Sequence, residues 1–206
     1  MEDYVLEIDN ALPKEICDRI IERYKKDSRK TQSKVGGASG DGEIDKEMRR
    51  SLLLQFSNYD DWADVNRIIY DVIGTAIQKY ILHIKKIYKK YETMNEQITD
   101  TQLTQHFSSM QDEGYFIQEY KEGDFYHWHT DHSNKLKRNR TLSFVLYLNT
   151  LDENQGGCTD FIHGQKIRPF AGKLLVFPSD WKYVHRSAVV KNGGIKYTIG
   201  TWAATN

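Results

Sequence analysis

His129, Asp131 and His185 carry the donor set for a divalent metal. His129 and Asp131 form His-x-Asp inside Tyr126-His127-Trp128-His129-Thr130-Asp131, and His185 stands 54 positions past Asp131, in Tyr183-Val184-His185-Arg186. Two imidazoles and one carboxylate can occupy one face of an octahedral metal. That leaves three sites free for a co-substrate and oxygen, as oxygen chemistry at a non-haem Fe(II) requires. On a strand, residues two apart point to the same side, so His129 and Asp131 can bind one metal together. The distant histidine must then be delivered by another strand, so the motif implies a fold as well as a metal.

The chain around these residues divides in two. Residues 115–120, 141–148, 159–162, 173–177, 182–187 and 195–203 are rich in strand formers. Asn154-Gln155-Gly156-Gly157, Pro169-Phe170-Ala171-Gly172 and Asn192-Gly193-Gly194 punctuate them. The first half is mostly helical in pattern. After a short strand over 5–8, Pro13 opens a helix to about Lys26, on which Ile16, Cys17, Ile20, Ile21 and Tyr24 recur at helical spacing. Leu12 caps poorly, so that start can shift by a residue or two. Residues 51–56 form a candidate strand. A long helix over 61–91 carries Val65, Ile68, Ile69, Val72, Ile73, Ala76, Ile77, Tyr80, Ile81 and Ile84 on one apolar stripe. Between them, 27–47 has no apolar period and holds a Gly-rich stretch over 36–42, which reads as a surface connection or a lid. Helical support followed by many short strands predicts an α+β chain with a jelly-roll core. One domain spans 1–206: 1–114 is mainly helical support and 115–206 the catalytic core.

Bulk properties narrow the partners. Lys plus Arg and Asp plus Glu stand at 29 each, which suggests neither a nucleic acid nor a membrane surface as partner. No apolar run reaches 18 residues and the start is acidic, so neither a membrane span nor a signal segment is expected. The two cysteines, Cys17 and Cys158, read as small core residues rather than a disulfide. A reducing cytoplasm is the expected location.

Ordered blocks over 115–203 extend the motif: Tyr120-Lys121-Glu122-Gly123, His129-Thr130-Asp131, Arg140-Thr141, Tyr147-Leu148-Asn149 and Gly156-Gly157-Cys158-Thr159. Pro169-Phe170-Ala171-Gly172, Leu175-Val176-Phe177-Pro178, His185, Lys196-Tyr197 and Trp202 complete them. This series resembles the prolyl 4-hydroxylase branch of the Fe(II)/2-oxoglutarate-dependent dioxygenases. The resemblance implies a double-stranded β-helix, with His129, Asp131 and His185 as iron ligands. It implies Lys196, eleven residues past the distal histidine, as the cation that holds the far carboxylate of 2-oxoglutarate. An ammonium inside a barrel is costly unless paired, and the co-substrate supplies the partner. Tyr120 and Thr159 match positions that contact the co-substrate. Thr198 shares the strand face of Lys196, and Tyr147 the face of Thr141, Ser143 and Val145. Tyr126, Arg140 and Trp202 match positions facing a peptide. Core packing for the aromatics, and a plain loop cation for Arg140, are the competing readings.

The other histidines are read as solvated or satisfied: His127 and His132 flank the motif off its strand phase or past it, His83 lies on the long helix, and His106 and His163 fall in loops. Two departures from the family pattern stand out. Cys158 replaces an acidic residue common in the Gly-Gly-x-Thr block, and 131–140 is short and basic, which puts proline specificity in doubt. The activity implied is hydroxylation of a C–H bond, of a peptidyl proline by preference, with 2-oxoglutarate converted to succinate and CO2. O2 is consumed, and ascorbate serves as reductant. The partner is then a peptide or protein substrate. Rival readings are hydroxylation of another residue or a free amino acid, and a metal-binding jelly-roll sensor or scaffold without catalysis. A nucleobase demethylase fits less well, because no arginine-rich motif follows His185.

Overall fold

The computed structural model describes residues 4–36, 42–89, 105, 107, 109–132 and 139–205. The centre of the expected lid (37–41), His106 and most of the basic stretch (133–138) lie outside the described residues.

Two antiparallel sheets form the core. Strands β1 (Leu6–Ile8), β2 (Thr31–Gln32), β4 (Leu52–Leu54), β5 (Gln111–Asp112), β6 (Phe116–Tyr120), β8 (Asn139–Tyr147), β11 (Leu174–Pro178) and β13 (Lys196–Thr205) make the larger sheet. Its order is β1-β11-β8-β13-β6-β4-β2, with β5 also on β13. Strands β3 (Arg49–Arg50), β7 (Phe125–His129), β9 (Thr159–Phe161), β10 (Lys166–Ile167) and β12 (His185–Ser187) make the smaller one, in the order β10-β9-β12-β7-β3. This is the double-stranded β-helix expected from the sequence.

Helices α1 (Lys14–Lys26) and α2 (Ala63–Lys89) back the larger sheet. Helix α2 buries Val65, Ile69, Ile73, Ala76, Tyr80, Ile81, Ile84 and Ile87. Ile68, placed on the stripe by sequence, is 37% exposed. These side chains meet Ile117, Leu142, Phe144, Leu146, Leu174, Val176 and Ile199 from the sheet in one apolar cluster. Each fully buried side chain of this kind contributes roughly 1.5–3 kcal/mol. Pro13 lies just outside α1 as its cap, and its carbonyl accepts from the amides of Ile16 and Cys17 at 3.0 and 3.1 Å.

Strands β1 and β4 fall within the strands expected over 5–8 and 51–56. Strands β2 and β3, of two residues each, are too short to show a period; β2 pairs with β4, β4 with β6 and β3 with β7, so the first half adds to both sheets. One expectation needs correction. Cys17 is buried, as expected of a small core residue, but Cys158 is only half-buried; both are free thiols. Among the described residues no helix is long and apolar enough to cross a membrane.

Candidate active site

The smaller sheet brings the metal donors together. His129 ends β7, His185 begins β12, and the two are directly paired in register. Asp131 lies in a bend two residues past the end of β7, rather than on the strand. Its carboxylate oxygens are 3.6 Å from Nε2 of His129 and 3.6 Å from Nε2 of His185. One donor atom from each of the three residues falls within 4.8 Å of the others.

The ring nitrogens are assigned by their neighbours. Nδ1 of His129 donates to the His127 carbonyl at 2.7 Å, and Nδ1 of His185 to the Tyr183 carbonyl at 3.0 Å. A carbonyl only accepts, so each Nδ1 carries the proton and each Nε2 keeps its lone pair for the metal. Burial, and then the neighbouring His185, push His129 down to about 3, so it is neutral at ordinary pH. Burial alone would raise the Asp131 carboxyl. The imidazoles of His185 and His129 and the Ser143 hydroxyl outweigh it and hold the group below the usual carboxylate range. Two imidazoles and one carboxylate form the donor set that suits Fe(II) with open sites.

Partners not singled out from sequence orient Asp131. Ser143 Oγ donates to its Oδ2 at 2.6 Å and contacts Ser179 Oγ at 2.8 Å. Ser143 shares the strand phase of Tyr147, so alternation was the available signal. Arg140 Nη1 donates to the Asp131 carbonyl at 3.2 Å.

A bulge in β7 shapes the site. Tyr126 and His129, three apart, face Ser187 and His185, two apart. The extra residue breaks the two-residue phase. Strict alternation puts His127 in phase with His129, contrary to the reading from sequence. The bulge turns His127 out to solvent and brings Tyr126 in. The Tyr126 ring stacks on His129 with centroids 3.6 Å apart and planes 15° apart.

The co-substrate candidates meet inside the barrel. Lys196 is 2% exposed and faces Tyr120 across β13 and β6, with Nζ 4.5 Å from the ring centroid. Nζ donates to the Gly157 carbonyl at 2.9 Å and to Ser187 Oγ. No carboxylate lies within ion-pair distance of it among the described residues, and burial pushes the ammonium down to about 7. Thr198 is buried and pairs with Tyr147 in register, and the Tyr147 hydroxyl is 2.6 Å from Thr159 Oγ1. Thr159 in turn pairs with Ser187. Gly156 and Gly157 hold φ of +66° and +69°, and a Cβ on Gly157 would come within 2.6 Å of Leu151 Cδ1. Glycine is therefore needed where the chain presents its carbonyl to Lys196.

The three residues expected to face substrate, Tyr126, Arg140 and Trp202, are half-buried. Tyr126 covers His129. The Arg140 guanidinium lies 3.5 Å over the Trp202 ring, and Nη2 donates to Glu113 Oε2 at 2.7 Å. Nε of Arg140 also reaches both Glu113 oxygens, so its charge is matched within the protein. Arg140 is fixed on β8 rather than loose in a loop.

Residues 115–204 match the family described as the 2OG-Fe(II) oxygenase superfamily. The likeness to that family covers this segment, less than half of the chain. A PKHD-type hydroxylase from Synechococcus sp. (strain CC9902) is 33% identical over 92 residues, which is 43% of this chain and 41% of that protein. The match therefore spans about two fifths of that relative's length. The viral collagen prolyl hydroxylase of Paramecium Bursaria Chlorella virus-1, in its 2OG complex, superposes with TM-score 0.61 at 19% identity, covering 99% of this chain and 97% of that one. A Trichoplax adhaerens prolyl hydroxylase in complex with a hypoxia inducible factor peptide fragment gives 0.67 at 16% identity, covering 97% and 83%. A Pseudomonas putida prolyl-4-hydroxylase gives 0.65 at 16%, covering 98% and 92%. At these identities the structural likeness speaks for the fold.

Proposed function

We propose that the chain is an Fe(II)/2-oxoglutarate-dependent dioxygenase that hydroxylates a C–H bond, with a peptidyl proline as preferred substrate. One observation carries the reading: a three-ligand metal face and a buried lysine without a carboxylate partner share one barrel. Strand β12 connects them. His185 and Ser187 sit two residues apart on it, about 7 Å, on the same side. His185 belongs to the metal face, and Ser187 hydrogen-bonds Lys196. A five-carbon dicarboxylate spans that step, with its oxo-acid end at the metal and its far carboxylate on Lys196.

Bound iron, 2-oxoglutarate and O2 supply the oxidation, in which one oxygen atom enters the C–H bond and succinate and CO2 leave. The protein's part is placement and shielding. Nε2 of His129, Nε2 of His185 and the Asp131 carboxylate hold the metal. Ser143 and Arg140 keep Asp131 aimed. Lys196 anchors the far carboxylate beside Thr198 and Tyr120, and the Tyr147–Thr159 pair closes the pocket wall. Phe177 and Phe161 pack against the His185 ring, with centroids 4.8 and 5.9 Å away, and keep bulk water from that side. Tyr126 and Trp202 bound the side open to substrate. The names of the three structural neighbours described above favour a peptide and proline.

The test is direct. Protein with Fe(II), ascorbate and 2-oxoglutarate is expected to release succinate, faster with a proline-containing peptide that gains the mass of one oxygen atom. No succinate under any condition would remove the oxygenase. A broad peptide library left unmodified, while a free amino acid is hydroxylated, would remove the peptidyl substrate alone.

A further inference from the structure

Among the described residues Arg49 is a second buried cation without a carboxylate, and a single aromatic ring separates it from a metal ligand. It lies on β3, paired in register with Tyr126 of β7. Its guanidinium sits 4.5 Å over the Tyr126 ring, whose centroid is 3.6 Å from that of His129. Three flat groups are thus stacked, with a metal ligand at the bottom and a cation at the top. Arg49 is 8% exposed. Nη1 donates to the Lys34 carbonyl at 3.1 Å, and Nε is buried with no partner.

Several less buried cations among the described residues are matched by carboxylates. Arg140 has Glu113, Arg186 has Asp160, Arg29 has Asp27 and Asp61, and Lys173 has Glu7. Among the described residues only Lys196 shares the condition of Arg49, and the co-substrate accounts for Lys196. A cation over an aromatic ring recovers only part of what removing the charge from water costs.

The charges of the loaded site point the same way. Two positive charges of iron, two negative charges of 2-oxoglutarate, Asp131 and Lys196 sum to zero. Glu113 cancels Arg140. Arg49 is then left over by one positive charge.

We infer that Arg49 receives a carboxylate of the substrate to be hydroxylated, so that this substrate is an anion at the end lying over Tyr126. The inference rests on the oxygenase reading and narrows its substrate class. A guanidinium fork with an unused Nε–H suits a carboxylate, which accepts two parallel hydrogen bonds. The carboxylate comes from one of three sources: an acidic side chain beside the target residue, the C-terminus of a peptide, or a free amino acid.

Binding, not turnover, tests this. Protein loaded with Mn(II) and 2-oxoglutarate without oxygen is titrated with three pairs of probes that differ only in charge. These are acetyl-Gly-Pro-Glu-amide against acetyl-Gly-Pro-Gln-amide, acetyl-Gly-Pro-Gly acid against its amide, and L-proline against L-prolinamide. At least one acid is expected to bind about 10- to 100-fold tighter than its neutral partner, and that pair names the source. Arg49→Gln is expected to erase the difference. Arg49→Lys, which keeps charge and stem, retains part of it and serves where Arg49→Gln does not fold. Equal binding within all three wild-type pairs overturns the inference, as does an undiminished difference in Arg49→Gln. The oxygenase reading fails separately, on absence of succinate from wild-type protein with Fe(II).

Discussion

The two faces of β13 have opposite chemistry. Outward, Tyr197, Ile199 and Ala203 enter the apolar cluster beneath α1 and α2. Inward, Lys196 and Thr198 face a polar pocket, although both are as buried as Ile199. Burial on the outer face stabilises the fold by removing apolar surface from water. Burial on the inner face costs stability, because an ammonium is kept from water with a carbonyl and a hydroxyl as its acceptors. One strand therefore spends on its inner face stability that its outer face supplies.

If this division holds, substitutions should separate function from stability. The largest expected effect is at the metal. His185→Ala removes one of three protein ligands, and Fe(II) binding and succinate formation should fall to background while the protein stays folded. Metal titration and far-ultraviolet circular dichroism check both halves, and retained Fe(II) affinity would place the metal elsewhere. Ile199→Ala addresses the other face. It opens a cavity against Leu146 and Ile117, its register partners, and should cost about 2–5 kcal/mol in urea unfolding. The folded molecules should still bind 2-oxoglutarate as wild type does. Weakened binding at full folding would mean that the faces are mechanically coupled.

Much of this division is legible in the sequence. Alternation on 196–203 separates the two faces without a structure, because a regular strand keeps its phase. The His-x-Asp pair, the distal His185 and the strands that carry them are read in the same way. What escapes sequence reading depends on pairing partners. The bulge in β7 appears only where β7 meets β12, and it decides that Tyr126 rather than His127 joins His129. Arg49 lies on a two-residue strand at the end of a stretch without apolar period, and its significance comes from a ring 77 positions away. Arg140 pairs with Glu113 through contacts that no local pattern encodes.

A subtler effect follows from replacing the inner cation. Lys196→Met keeps the stem and removes the charge. It should weaken 2-oxoglutarate binding about 10- to 100-fold, the worth of one charge-assisted contact, with Fe(II) affinity nearly unchanged. The same change should raise the melting temperature of the ligand-free protein, because an uncompensated buried charge is gone. A lower melting temperature together with wild-type affinity would mean that Lys196 is structural.

The smallest and most discriminating effect is in pH. Burial lowers the Lys196 ammonium from an ordinary 10.5 to about 7, and Cys158 and then Asp160 pull weakly the other way. Asp160 is committed to Arg186 at 2.8 Å, and the other groups against Nζ are the Tyr120 ring, the Ser187 hydroxyl and the Gly157 carbonyl, none of them a carboxylate. Between about pH 7 and 10.5 the unfolded chain therefore binds more protons at this residue than the folded, ligand-free protein. Stability then rises with pH across that window, because the penalty for a buried charge is fully present below the folded value and lost above it. Ligand binding has the opposite slope. The far carboxylate of 2-oxoglutarate requires the charged ammonium, so above about pH 7 binding must take up a proton and affinity should fall, approaching about tenfold per pH unit. Calorimetric titration in buffers of different ionisation enthalpy measures that proton directly. Lys196→Met should lose both the proton uptake and this part of the pH slope. An affinity constant from pH 7 to 9 in wild type would show that the lysine is already fully charged before the co-substrate arrives. The inner face of β13 would then hold a countercharge, and the contrast with its outer face would be smaller than the geometry indicates.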